Sequence, residues 1–141
     1  MEANELTSRD LMVGDWLKHY NGTPVQVTKI TTEHFACAEN GGVNCWEYNN
    51  KFEPIPLTIE ILEKNGFEYN KQKVIIPSRS QEETEIEYMY CKELRCSFDI
   101  IHGYLMFNSN IDLCNIRMVV NYVHELQHIF RLCKIDKEIV V

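Results

Sequence analysis

The residues whose types and spacing could do chemistry are His124-Glu125-Leu126-Gln127-His128. On a helix, residues four apart share a face. His124 and His128 could therefore both ligate one zinc ion, with Glu125 as general base on the metal-bound water. That would make the chain a zinc-dependent hydrolase. A catalytic zinc takes three protein ligands, so the site would also need His34, His102 or Asp136 from elsewhere in the chain. Two features oppose it. A metzincin-like pattern puts a histidine six residues after the second ligand, where Lys134 stands. Arg131 shares the helical face of the two histidines and sets a fixed cation against a dication. We therefore expect no catalytic residue, metal or cofactor; Glu125 with zinc on His124 and His128 is the alternative.

The element that must position this motif is an amphipathic helix near 121–133. At 100° per residue, Val119, Val123, Leu126, Phe130 and Cys133 form one stripe, flanked by Tyr122 and Ile129. Asn121 is a plausible N-cap. The two imidazoles fall nearly opposite the stripe, so a stripe packed on a sheet leaves them facing solvent, or at best a groove against the barrel.

The first third of the chain reads as short strands. Met12–Leu17 and Val25–Ile30 flank Asn21-Gly22, a strong hairpin signal. Phe35–Cys37 and Val43–Tyr48 flank Asn40-Gly41-Gly42, and Phe52–Leu57 runs extended with Pro54 and Pro56. Short strands joined by tight turns predict a small SH3-like barrel over 1–57.

Residues 58–141 predict an α+β unit. Thr58 caps a short helix that Asn65-Gly66 stops, with Phe67 packing back on its last turn. Strands follow over Lys73–Pro77, Thr84–Tyr90, Arg95–Ile101, Tyr104–Phe107 and Ile116–Val119, with His102-Gly103 as a turn. Ile86, Tyr88 and Tyr90 alternate with Glu85, Glu87 and Met89, the pattern of a sheet with one wet face. Ile139-Val140-Val141 could add an edge strand.

Composition narrows the function classes. The chain has 141 residues, 45% hydrophobic and 25% charged, close to the globular average. Its 14 basic and 21 acidic residues give a net charge of −7, which repels nucleic acid. The largest basic cluster is Lys71 and Lys73 with Arg79, and Glu82, Glu83 and Glu85 follow closely. The N-terminus reads as no secretory signal, and apolar runs such as Met118-Val119-Val120 are far short of a membrane span. Six cysteines without a Cys-x-x-Cys fit free thiols, with Cys37, Cys91 and Cys133 as small core residues. The expected location is the cytoplasm.

Three blocks carry a resemblance: Gly22-Thr-Pro-Val-Gln-Val27, Glu53-Pro-Ile-Pro-Leu-Thr-Ile-Glu-Ile-Leu-Glu-Lys-Asn-Gly-Phe67, and Tyr122-Val-His-Glu-Leu-Gln-His-Ile-Phe-Arg-Leu-Cys133 closed by Ile135-Asp-Lys-Glu-Ile139. In this order they resemble a family of short uncharacterised proteins from gut bacteria, often carried on phages and other mobile elements. The resemblance implies a Gln where Glu125 stands, which a zinc hydrolase would not tolerate, and a Gly where Lys134 stands. It implies no activity, cofactor or catalytic residue.

The expectation for function is a non-enzymatic binding module of mobile-element origin, with a protein partner and with its oligomeric state open. Trp16, Tyr20, Trp46 and Tyr48, near the barrel turns, are the candidate binding surface, because exposed aromatics supply contact area with a polar handle.

Overall fold

Local turn chemistry sets most of the element boundaries. A computed structural model describes residues 6–39, 45–46, 52–75, 83–109 and 117–141. The chain divides into two compact units, Met1–Pro56 with Tyr122–Arg131 and Val141, and Leu57–Asn121 with Leu132–Val140.

The first unit holds strands β1 (Trp16–His19), β2 (Pro24–Ile30), β3 (Phe35–Ala38), β4 (Cys45–Trp46) and β5 (Phe52–Pro54). They form one antiparallel sheet in the order β4-β3-β2-β1-β5. The β1–β2 turn is the predicted one: Gly22 adopts φ +91°, and His19 N–H donates to the Thr23 carbonyl at 2.9 Å. The pairing of β2 with β3 shifts register between Val27 and Lys29. No pairing joins β4 to β5 among the described residues, so the sheet is open rather than a closed barrel. Leu17, Val25, Val27, Phe35, Cys37 and Phe52, with Leu6 and Leu11, make its core.

Met12–Asp15, expected as the start of a strand, is instead a turn. Gly14 sits at φ +94°, its N–H bonded to the Val27 carbonyl at 2.7 Å, so the chain doubles back before β1. Helix α2 (Val123–Leu132) also belongs to this unit, whereas the sequence grouped it with residues 58–121. Its first turn is tied to the segment after β5 by Val123 N–H donating to the Ile55 carbonyl at 2.9 Å.

The second unit opens with helix α1 (Ile59–Lys64). Thr58 Oγ1 accepts from Ile61 N–H at 3.3 Å, as its N-cap role requires. Gly66 at φ +90° ends the helix in a Schellman motif, with Phe67 N–H on the Leu62 carbonyl and Gly66 N–H on that of Glu63. Asn65 then holds the C-terminal segment: its amide exchanges two 2.8 Å bonds with the Val140 backbone. Ile139–Val141 is thus anchored by a side chain and forms no strand.

Strands β6 (Glu68–Ile75), β7 (Glu83–Cys91), β8 (Cys96–Ile101), β9 (Tyr104–Ser109) and β10 (Arg117–Val119) form an antiparallel meander in sequence order. His102 and Gly103, at φ +49° and +80°, make the two-residue β8–β9 turn. One face of this sheet is core, with Met89, Cys91, Cys96, Phe98, Leu105 and Phe107 all buried. Phe98 meets Phe67 and Phe107 edge-on at 5.4 and 5.3 Å. Burial pushes the Cys96 thiol up to about 12, and the neighbouring Cys91 and Cys133 add to that shift. These cysteines are buried in the core, where a thiol is unreactive.

Candidate functional site

The HELQH motif does lie on a helix, and the spacing does bring its histidines together. Their ring centroids are 5.7 Å apart. Of the two settings expected for them, solvent or a groove against the first unit's strands, the structure has the enclosed one. His124 is 7% exposed and Gln127 is buried, so α2 is buried on its polar side as well as along Val123, Leu126 and Phe130.

That polar side grips the turn ahead of β1. Asp15, fully buried, is the centre of the grip. Its Oδ2 accepts from Met12 N–H at 2.8 Å and lies 2.6 Å from His128 Nε2. Its Oδ1 accepts from Arg131 Nη1 at 3.1 Å. Arg131 Nη2 donates to the Val13 carbonyl at 3.0 Å. Gln127 clamps the same turn from both sides: its Nε2 donates to the Gly14 carbonyl at 2.9 Å, and its Oε1 accepts from Trp16 N–H at 2.8 Å. A carboxylate without water must have its charge met by donors, and three groups meet it here, one from its own turn and two from α2.

Each member of the motif is therefore bonded into the fold or enclosed by it. Glu125 Oε1 accepts from Tyr122 N–H at 3.0 Å, the back-bond of a capping box. That makes Glu125 the helix-start signal in place of Asn121, whose carbonyl accepts from Leu57 N–H. His128 Nε2 is taken by Asp15. His124 stacks on Tyr122, with ring centroids 5.9 Å apart, and its buried Nδ1 has no hydrogen-bond partner among the described residues. Burial holds His124 below the usual imidazole range, and nearby His128 pushes the same way against the weaker pull of Glu125 and Asp10; Asp15 opposes both. No group of three His, Cys, Asp or Glu side chains among the described residues is arranged to hold a metal ion. His34 and His102, offered as third ligands, lie in the β2–β3 and β8–β9 turns, and Asp136 follows α2.

Of the four candidate contact aromatics, Trp16 and Tyr20 have described side chains, and they lie at opposite ends of β1. Trp16 is half-buried at the start of β1. Tyr20, 67% exposed, is beyond its other end, with its ring 4.3 Å from that of His19. Trp46 pairs through its backbone with Ala36 in β4, and Tyr48 lies outside the described residues.

The surface that sequence reading missed is the outer face of the second sheet. The pairings Tyr69↔Met89↔Phe98↔Phe107 fix one face, and Met89 at 0% exposure makes it the core face. Ile86, Tyr88 and Tyr90 therefore point outward. They share the outer face with Ile101, Tyr104, Met106 and Val119, and Tyr104 is 60% exposed. The alternation over 84–90 was the available signal, but it does not say which parity is wet. A cavity of about 240 Å³ lies near α1, lined by Leu57, Ile59, Ile100 and Leu105 among others and by no charged side chain. It is below the roughly 300–1,000 Å³ usual for small-molecule sites.

Among the described residues no helix is long and apolar enough to cross a membrane. No family model, curated protein or solved structure matches this chain.

Proposed function

We propose that this protein is a non-enzymatic interaction module that engages a protein through the outer face of its second sheet. One observation carries the reading. Large apolar and aromatic side chains (Ile86, Tyr90, Ile101, Tyr104, Val119) stand exposed on the same face of a five-stranded sheet. Contiguous apolar patches are uncommon on monomers and mark interaction surfaces when rimmed by polar groups, as Glu68 and Arg117 rim this one. The aromatic share of the patch suits a protein contact, since tyrosines are enriched in such interfaces.

The zinc-hydrolase alternative would leave His128 only its Nδ1 for a metal, because Nε2 meets Asp15, and would take Glu125 from the helix start. The first sheet is read as a partly open SH3-like barrel. Its support is the return of β5 beside β1 and the register shift that bends β2. A mobile-element origin rests on the family resemblance, and a cytoplasmic location on the free, buried cysteines.

The test is affinity capture from a host lysate with the wild-type chain and with a Tyr90→Ser/Tyr104→Ser variant. A protein retained by the wild type and by Tyr20→Ser, but lost with the double variant, supports the reading. Equal retention by the double variant overturns it. Metal analysis of untagged protein is the second arm. One zinc per chain, lost in His128→Ala, would establish the hydrolase reading instead.

A further inference from the structure

The outer face of the second sheet is complementary to itself, and we propose that its occupant is a second copy of this chain. The inference rests on the reading of that face as a binding surface and names what fills it. Across the five strands from β10 to β6, one row of paired residues runs Arg117, Asn108, Ser97, Tyr90, Glu68. A cation stands at one end and a carboxylate at the other. Both are exposed, and neither forms an ion pair with another described residue.

Two such sheets can pack face to face about a two-fold axis running along β8. That axis keeps each residue's height along the strands and exchanges the two sides of the sheet. It sets β10 of one copy over β6 of the other and β9 over β7. Arg117 then lies over Glu68, twice by symmetry. Met106 lies over Tyr88, a sulfur-to-ring contact, and Tyr104 over Ile86. Aligned sheets pack this way at about 10 Å with side chains interdigitating. The same charges that fit a second copy fit a polyanion poorly, because the chain carries −7.

The symmetry also sets one pair of like charges together. Asp99 lies on β8, on the axis, and meets its own copy. Asn108 Nδ2 donates to Asp99 Oδ2 at 2.8 Å and offsets only part of that repulsion. A standard interface buries about 800 Å² per partner. Most apolar side chains of this face are only about two-fifths exposed and Asp99 sits at its centre, which sets the dimer as weak, with a Kd in the micromolar range.

Sedimentation velocity on the full chain, up to about 200 μM, tests this. A monomer–dimer equilibrium is expected. Arg117→Glu and Glu68→Lys should each weaken it about tenfold, and the double variant should restore it to within about threefold. Asp99→Asn should tighten it, and Tyr20→Ser, off this face, should leave it unchanged. All these sites are exposed or half-exposed, so the variants keep the fold. A monomer throughout, no rescue by the charge swap, or weakening by Asp99→Asn overturns the proposal. If the chain is monomeric but the Tyr90→Ser/Tyr104→Ser variant still loses a captured protein, the second copy fails as occupant while the binding-surface reading stands. If it dimerises with the stated charge pattern and captures nothing else, the face is filled by self-association.

Discussion

The polar side of α2 and the outer face of the second sheet are opposite cases. The first carries the residue types that catalysis uses, and apart from His124 Nδ1 the fold engages their polar atoms. Asp15 binds His128 and Arg131, Glu125 binds the helix start, and Gln127 binds the turn at Gly14. The second carries nothing that resembles a motif, yet its tyrosines and aliphatics are left unburied. The proposed binding surface is thus the region whose large side chains the fold leaves exposed, while Asp15, Gln127, His128 and Arg131 of the other region clamp the turn ahead of β1.

The comparison breaks first at Asp15. Replacing it with alanine removes the acceptor of three groups, the Met12 N–H, His128 and Arg131. Urea unfolding should show a loss of about 3 kcal/mol, and a loss under about 1 kcal/mol would mean the clamp is incidental. Gly14→Ala acts on the same turn. An added Cβ at φ +94° would be strained and would sit 3.1 Å from Arg131 Nη2, so a loss of about 1–2 kcal/mol is expected.

His124 gives the clamp a pH signature. Its folded pKa lies below the ordinary 6.5, so the unfolded chain takes up the proton first as pH falls. Stability should be flat above pH 6.5 with respect to this group and decline below it, as the slope relation requires. His124→Phe should flatten that part of the Tm-versus-pH curve. An unchanged curve would assign the decline to other groups.

Two smaller effects sharpen the contrast. Lys134 follows the end of α2 at φ +56°, a left-handed position that favours glycine. Lys134→Gly should therefore stabilise by about 0.5–1 kcal/mol, seen as a higher urea midpoint. On the second sheet, Tyr104→Ser should shift stability by no more than about 0.5 kcal/mol, because the ring is exposed. A loss as large as that of Asp15→Ala would show that the tyrosine face supports the fold, erasing the distinction between the two regions.

Features coded by neighbouring residues were legible. The turns at Asn21-Gly22 and His102-Gly103, the Thr58 cap and the Asn65-Gly66 stop all rest on contacts a few residues apart. The helix around HELQH was legible from its apolar stripe, although its polar side was left between solvent and a groove. That side is set by Asp15, 113 residues away from His128, and no periodicity within the helix encodes such a partner. The wet face of β7 was also illegible, because Ile86, Tyr88, Tyr90 and Glu85, Glu87, Met89 satisfy the same alternation. The pairing of Met89 with Phe98 chose between them.

The sequence by itself determined the α+β class, the hairpin turns, both helices and the adjacency of His124 and His128, since helical and strand periods act over a few residues. Only the tertiary structure decided that these histidines meet a buried aspartate and that the tyrosines of β7 meet solvent. Both outcomes depend on which distant segments share a register, and burial energy is settled by that meeting rather than by any one strand or helix.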